Sequence, residues 1–284
     1  MSADGNVPLS AFHLIERIAP SIPALKNLDE DVRQSLSALD FSAENLRSKQ
    51  IAVAVGSRGI ANLQQIVRDV CGWLKAQGAQ PFIFPAMGSH GGATAEGQLK
   101  ILAEYGVTAE LVGVEVRASM ATVSLGRTPE GFQVFMDRNA WDSDGVLVVN
   151  RVKPHTVFSG KNESGLLKMM AVGMGKEEGA RETHHYGWKY GFAQVIRAMS
   201  AVTLASGKIL CGVAVAENEM HEICAVRAAQ PANIVLMEEE MLHPIHAYEI
   251  IRIIISLIKI LMMNGLIYFF CIDAFAYVIT IRYE

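Results

Sequence analysis

The sequence predicts an α/β fold with a mainly parallel sheet, helices on both faces and a functional site at the carboxyl ends of the strands. Short apolar runs typical of buried strands alternate with helical patterns, as in βαβ units. Three of these runs, Ile51–Val55, Pro81–Pro85 and Gly145–Asn150, are closely followed by polar segments that contain glycine, histidine or arginine. Ligands of open α/β sheets bind outside the carboxyl ends of the strands, so these segments are expected to meet there.

The composition predicts a globular protein and argues against several classes of function. The 284 residues are 51% hydrophobic and 19% charged, which is enough for a large core. The net charge of −4 argues against a nucleic-acid partner, which would require a basic face. The four cysteines form no CxxC pair, which excludes a zinc ribbon and a disulfide scaffold and favours a reducing compartment. With no secretory signal in residues 1–25, we expect a cytoplasmic protein with a small-molecule partner. The oligomeric state stays open.

Helical periodicity and capping residues predict the remaining elements. The predicted helices are Asp29–Leu36, a segment capped by Asn62 that runs to Gln77, and a segment capped by Thr94 that runs to Tyr105. Further strands are expected at Leu111–Val116, Phe132–Met136 and Ile209–Ala216. The Gly- and Met-rich segment Glu163–Gly175 is expected to pack a helix closely against the site.

The composition changes near His246, which predicts a domain of residues 1–245 and an apolar tail of residues 246–284. One interpretation of the tail is a transmembrane helix, since about 20 apolar residues span a bilayer. However, Lys259 and Asp273 fall inside it, and a charge at the bilayer centre costs about 2.5–3.5 kcal/mol. A buried helix and strand is the second interpretation. Frameshifted or chimeric sequence is the third, and the missing caps and amphipathic pattern favour it.

A glycine-rich turn, Gly88–Thr94, joins a predicted strand to a predicted helix. Its N–H groups and the helix N-terminus favour an anion, although an ordinary tight turn explains the spacing equally well. The turn lacks the Lys-Ser/Thr ending of a P-loop, which argues against a nucleoside triphosphate. His90 lies within it and could act as an acid or a base near neutral pH. The alternative is a solvated loop histidine.

Other candidate residues follow the neighbouring strands or lie further along the chain. His155 follows Pro154, which favours an extended backbone for Lys153; the alternative is a structural histidine. Arg58 lies at a strand end and could hold a carboxylate through two hydrogen bonds, or it is a surface arginine with no role. Adjacent residues on a helix point in different directions, so at most one of His184 and His185 could bind a metal. A polar surface pair is the alternative.

Four motifs, GSRGI, GSHGGAT, KPHTVFSG and ESGLLKMMAVGMGK, occur in this order, and together they resemble the lactate racemase family that uses a nickel-pincer nucleotide. The resemblance covers about Leu46 to Pro231. It implies a cofactor whose nickel has sulfur, carbon and sulfur donors and takes one protein histidine. It also implies racemisation of a 2-hydroxy acid, in which the protein moves protons while the cofactor accepts and returns a hydride.

The resemblance assigns roles to individual residues. His90 and His155 match the two catalytic histidines, and Arg58 matches the arginine that holds a substrate carboxylate or a cofactor phosphate. His184 matches the nickel ligand, with His185 as the alternative if the alignment slips by one residue. The predicted substrate- and cofactor-binding residues are Ser57, Arg58, Ser89, Gly91, Lys153, Ser159, Gly160, Lys161 and Lys168.

Two departures from the family pattern lead to alternative predictions. Glu163 stands where the family has the lysine that anchors the cofactor, while Lys161 and Lys168 are out of register. The cofactor is therefore expected to be bound noncovalently or to be absent. The family's second lobe is also expected to be absent, because the unlike tail begins where that lobe would start. These departures favour a non-catalytic anion- or nucleotide-binding domain as the second hypothesis. A membrane-anchored enzyme is the third, and only the tail supports it.

Overall fold

The structure is a computed structural model that describes residues 22–41, 46–57 and 59–244. Arg58 and the tail of residues 246–284 lie outside these ranges, so the predictions made for them and for a domain boundary at residue 245 stay predictions. The strands are β1 (Gln50–Val55), β2 (Gln80–Pro85), β3 (Thr122–Arg127), β4 (Gln133–Asp137), β5 (Gly145–Arg151), β6 (Ile209–Glu217) and β7 (Ile223–Ala229). The helices are α1 (Leu28–Ser37), α2 (Leu63–Ala76), α3 (Ala95–Glu104), α4 (Ala109–Val112), α5 (Arg138–Asp142), α6 (Leu166–Lys168), α7 (Lys176–Tyr190) and α8 (Phe192–Ala205). Residues 234–244 are also helical.

The main sheet has five strands in the order β2-β1-β5-β6-β7. The first four strands are parallel, and β7 pairs antiparallel with β6. Ile51 in β1 pairs with Pro81 on one side and with Gly145 on the other, so the three strands begin in register. Their carboxyl ends therefore lie at one edge of the sheet, as the sequence predicts.

Both faces of this sheet are buried, because side chains alternate along each strand. Ala52 and Ala54 of β1 face a core formed with α8, whereas Val53 and Val55 face a core formed with α1 and α2. The predicted α/β fold with helices on both faces is confirmed. Within the described ranges, no helix is both long enough and apolar enough to cross a membrane.

Several local predictions need correction. Leu111–Val116 is not a strand, because Thr108 caps a one-turn helix there and Gly113 ends it with a φ of +79°. Asn62 stands before α2 but its side chain makes no capping hydrogen bond. The predicted strand Phe132–Met136 corresponds to β4, which pairs with β3 in a separate two-stranded antiparallel sheet. The sequence analysis did not predict β3 or β7.

Candidate active site

The candidate site lies at the edge where β1, β2 and β5 end. Because β1 separates β2 from β5, the loop after β2 and the loop after β5 leave the sheet on either side of β1. Neighbouring strands are about 4.8 Å apart, so the two outer strands are about 10 Å apart. The loop after β2 carries His90, and the loop after β5 carries His155.

His90 contacts the residue that follows β1. The Ser57 hydroxyl is hydrogen-bonded to His90 Nδ1, and the Tyr105 hydroxyl donates to the Ser57 carbonyl over 3.0 Å. His90 itself is exposed. The partner of one ring nitrogen fixes the role of the other, so Ser57 orients an imidazole that is able to exchange a proton with a ligand.

The glycine-rich turn is held tightly against the first turn of α3. Gly91 has a φ of +68°, and a Cβ atom there would lie 2.5 Å from the Gly97 carbonyl carbon. Thr94 caps α3 by accepting a hydrogen bond from the Gly97 N–H over 3.0 Å. The turn therefore needs glycine at residue 91 for both its backbone angle and its lack of a side chain.

A matched pair of glycine substitutions tests this turn. Gly92 has a φ of +66° but open space around its Cβ position, so Gly92→Ala is expected to lower the free energy of unfolding by about 1 kcal/mol, from backbone strain alone. Gly91→Ala adds the collision with Gly97, and we expect a loss of about 2–4 kcal/mol. Urea denaturation measures both variants. Equal losses would contradict the close packing of the turn.

His155 is half-buried, and both of its ring nitrogens have partners. The Val157 N–H donates to His155 Nδ1 over 3.2 Å, and Lys168 Nζ lies 2.7 Å from Nε2. A neutral imidazole that accepts at Nδ1 carries its proton on Nε2. In this tautomer the Nε2–H group can donate a hydrogen bond to Lys168 Nζ only if the lysine is a neutral amine. This geometry pairs a proton-transfer group with a nucleophilic one.

Glu163 is a structural residue of this loop. Its buried carboxylate accepts hydrogen bonds from the His155 N–H over 2.5 Å and from the Gly160 N–H over 2.9 Å. The sequence resemblance puts Glu163 in the place of an anchoring lysine, and in the structure its carboxylate fixes the backbone of the KPHTVFSG loop at two points. The amine beside His155 belongs to Lys168, which the sequence analysis placed out of register.

The structure distinguishes His184 from His185 on α7. The His184 ring meets Phe192 edge-on at 6.0 Å, Phe192 stacks on Phe158 at 5.7 Å, and Phe158 stacks on His155 at 4.2 Å. His185 instead packs against its neighbour Tyr186. Both histidines are exposed, but only His184 belongs to the aromatic row that leads to His155.

The remaining predicted site residues occupy the same loops. Ser89 is exposed beside His90, while Ser159, Gly160 and Lys161 are exposed on the loop after β5. In the part of the chain that the structure describes, no hydrogen bond joins the Lys161 side chain to either histidine. Lys153 is half-buried, and its backbone pairs with Ser164 over 2.9 Å.

A buried charged cluster beneath the His90 turn was missed by the sequence analysis. Lys176 and Asp137 are fully buried and form an ion pair of 3.0 Å. Burial raises the pKa of Asp137 and lowers that of Lys176, while their mutual attraction opposes both changes. Lys176 also donates to Gln98 Oε1 over 3.0 Å and to the carbonyl of Pro85, the last residue of β2. A lysine in the apolar segment MMAVGMGK is the one signal in the sequence.

Glu238 is a second buried residue that the sequence analysis missed. Its Oε2 atom accepts a hydrogen bond from the Leu167 N–H over 3.1 Å, in the first turn of the helix that carries Lys168. A Cβ atom at Gly165 would lie 2.4 Å from this oxygen, so the glycine makes room for the carboxylate. Burial raises the pKa of Glu238 to about 7.

The raised pKa of Glu238 predicts a pH-dependent stability. A carboxyl group that binds its proton more tightly in the folded state contributes stability below its unfolded pKa of 4.5, and this contribution is lost as the pH rises through about 7. Replacing it with the uncharged amide, Glu238→Gln, is expected to stabilise the protein relative to wild type by roughly 2–3 kcal/mol more at pH 8 than at pH 5. Urea denaturation at both pH values measures this. A constant difference would contradict the assignment.

Among the described residues, no group of three or more His, Cys, Asp or Glu side chains could hold a metal ion.

Taken together, the chain is an α/β protein with two histidines, a lysine beside one of them and a glycine-rich turn at one sheet edge. The family model for the lactate racemase N-terminal domain matches residues 13–189. The chain therefore belongs to the lactate racemase N-terminal domain family.

A solved structure supports the fold. The lactate racemase apoprotein from Thermoanaerobacterium thermosaccharolyticum is similar, with a TM-score of 0.55 and 14% sequence identity. The match covers 76% of this chain and 55% of that one. At this identity the likeness shows the fold alone, and the chain spans about half the length of its structural relative. Comparison with curated proteins gives no match.

Proposed function

We propose that this chain carries the histidines of a racemase or epimerase for a small 2-hydroxy acid that works with a nickel-pincer nucleotide. The observation that carries the proposal is the position of His90 and His155 on loops either side of β1. A racemase needs a proton-transfer group on each face of its substrate, and two histidines can alternate as acid and base. The family assignment supports the same chemistry.

Each histidine takes one role in this proposal. His90, oriented by Ser57, exchanges a proton with the substrate hydroxyl on one face. His155, whose Nε2 atom pairs with Lys168, does so on the opposite face. Arg58 binds the substrate carboxylate. When bound, the cofactor would supply the group that accepts the hydride from the α-carbon of the substrate and returns it.

The residues of this chain fit such a cofactor. Imidazole is a good ligand for nickel, and the His184 ring is exposed at the end of the aromatic row that leads to His155. Lys168 offers an amine beside His155, so we propose Lys168 as the residue that holds the cofactor. If Lys168 holds the cofactor, the glutamate at residue 163 is no reason to expect that the cofactor is absent.

Nickel content tests this assignment without any assay of turnover. The full chain is produced together with the enzymes that make the cofactor, and nickel is measured after gel filtration. We expect about one nickel per chain in wild type and a loss of most of it in His184→Ala and Lys168→Ala. The neighbours His185→Ala and Lys161→Ala are the matched controls and are expected to retain nickel. Equal retention by all four variants would contradict the proposed site.

The non-catalytic hypothesis predicts a different outcome. A domain that only binds an anion or a nucleotide would show no interconversion of 2-hydroxy-acid enantiomers, even with nickel bound. Turnover that depends on His90 would exclude it.

A further inference from the structure

The cluster beneath the His90 turn has an arrangement that the proposed reaction does not itself explain. Gln98 is fully buried in α3, and its Nε2 atom donates to the Gly88 carbonyl over 2.8 Å and to the His90 carbonyl over 3.3 Å. Both carbonyls belong to the turn that presents His90. One buried side chain thus holds the backbone of the turn before and at the histidine.

Lys176 determines which way the Gln98 amide points. An ammonium group only donates, so the amide oxygen must face Lys176, which lies 3.0 Å away. The amide nitrogen then faces the turn, where both neighbours are carbonyl acceptors. Asp137 also holds the ammonium in place, through the 3.0 Å ion pair. Along this chain of contacts, Lys176 pairs with Asp137 and donates to the Gln98 oxygen, and the Gln98 nitrogen donates to the His90 carbonyl. Each donor therefore meets an acceptor in only one orientation of the Gln98 amide.

The same ammonium group also fixes the end of β2. Its hydrogen bond to the Pro85 carbonyl ties the strand end to the cluster. The Gly88 N–H donates in addition to the Gly173 carbonyl over 3.0 Å, just before α7 begins. The backbone of the turn is therefore held at its start, its middle and its histidine, and the imidazole is hydrogen-bonded to the half-buried Ser57.

We propose that Gln98, oriented by Lys176, is a positioning residue for His90. Its two hydrogen bonds set the turn so that His90 Nδ1 meets the Ser57 hydroxyl. Gln98 touches no substrate and takes no part in proton transfer. The consequence for turnover rests on the proposed function, but the effect on the His90 imidazole does not.

The test compares two equal substitutions of glutamine. Gln98→Met keeps the length of the side chain and removes both hydrogen bonds to the turn. Gln194→Met makes the same change at an exposed residue of α8 and is the control. Long-range ¹H–¹⁵N NMR of the histidine rings follows the tautomer of His90, with the exposed His221 as an internal reference.

We expect His90 in Gln98→Met to lose the single tautomer that the Ser57 hydrogen bond favours and to show mixed tautomers, while the ring of His221 does not change. Gln194→Met is expected to match wild type. If the proposed function holds, kcat of Gln98→Met falls about 10- to 100-fold with little change in KM, as expected for a misplaced catalytic group. An unchanged His90 spectrum in folded Gln98→Met would overturn the proposal. A changed spectrum in a wild-type protein without turnover would overturn the proposed function only.

A second measurement uses the wild-type protein alone, so it does not depend on whether a variant folds. In wild type, the side-chain amide protons of Gln98 are expected to exchange with solvent at least 100-fold more slowly than those of Gln194, because they are buried and hydrogen-bonded. Exchange of both amides at the same rate would show that the hydrogen bonds to the turn do not persist, and would also overturn the proposal.

Discussion

Replacing His90 with asparagine is expected to lower the rate of enantiomer interconversion by about 10²–10⁴-fold, the usual contribution of a positioned acid–base group. Asparagine keeps a polar side chain of similar reach in the turn but cannot exchange a proton near neutral pH. His155→Asn is expected to have an equally large effect, because racemisation uses both faces of the substrate. Neither variant should lose nickel, since the proposed ligand is His184.

The control for both variants is His221→Asn. His221 lies in the turn between β6 and β7, its side chain is 86% exposed, and its backbone has a φ of +60°, which asparagine tolerates well. We expect wild-type rates for it, measured by chiral chromatography of the product. Full activity in His90→Asn would show that this histidine has no part in the reaction.

Replacing Lys176 with methionine is expected to lower the free energy of unfolding by about 3–5 kcal/mol, because the Asp137 carboxylate is then buried without its partner. The Gln98 oxygen and the Pro85 carbonyl lose their donor in the same step. Lys189→Met changes an exposed lysine of the same helix and is expected to cost less than about 0.5 kcal/mol. Urea denaturation measures both.

A second substitution separates the charge from the packing. In Asp137→Leu combined with Lys176→Met, no unpaired buried charge remains, so the double variant is expected to be more stable than Lys176→Met alone. A double variant less stable than either single variant would contradict this account of the cluster.

The position of the site at the strand ends was predictable from the sequence, whereas the side-chain contacts of the site residues were not. Ile51–Val55 and Gly145–Asn150 are apolar runs of strand length, and parallel strands place their carboxyl ends at one edge whatever the loops do. The contact of Ser57 with His90 joins residues 33 positions apart, and that of Lys176 with Gln98 joins residues 78 apart. Such pairings depend on how the loops pack, which no local pattern encodes.

The errors also have local causes. The segment Leu111–Val116 has the apolar character of a strand, but the cap at Thr108 and the left-handed Gly113 favour one helical turn. β3 was missed because none of its six residues is buried and its pairing shifts between Ser124 and Gly126, which breaks the alternating pattern. The structural use of Glu163 was not predictable either, because its hydrogen bonds to the His155 and Gly160 N–H groups depend on how the loop folds.

The most direct test of the account follows both enantiomers of lactate, and then of other small 2-hydroxy acids, in D₂O with the nickel-loaded full chain. The account predicts that each enantiomer of the true substrate approaches the same mixture and that the hydrogen on the α-carbon is retained, because it moves as a hydride and not through solvent. Deuterium at the α-carbon of the product would contradict the account. So would a nickel-loaded chain that interconverts none of these acids.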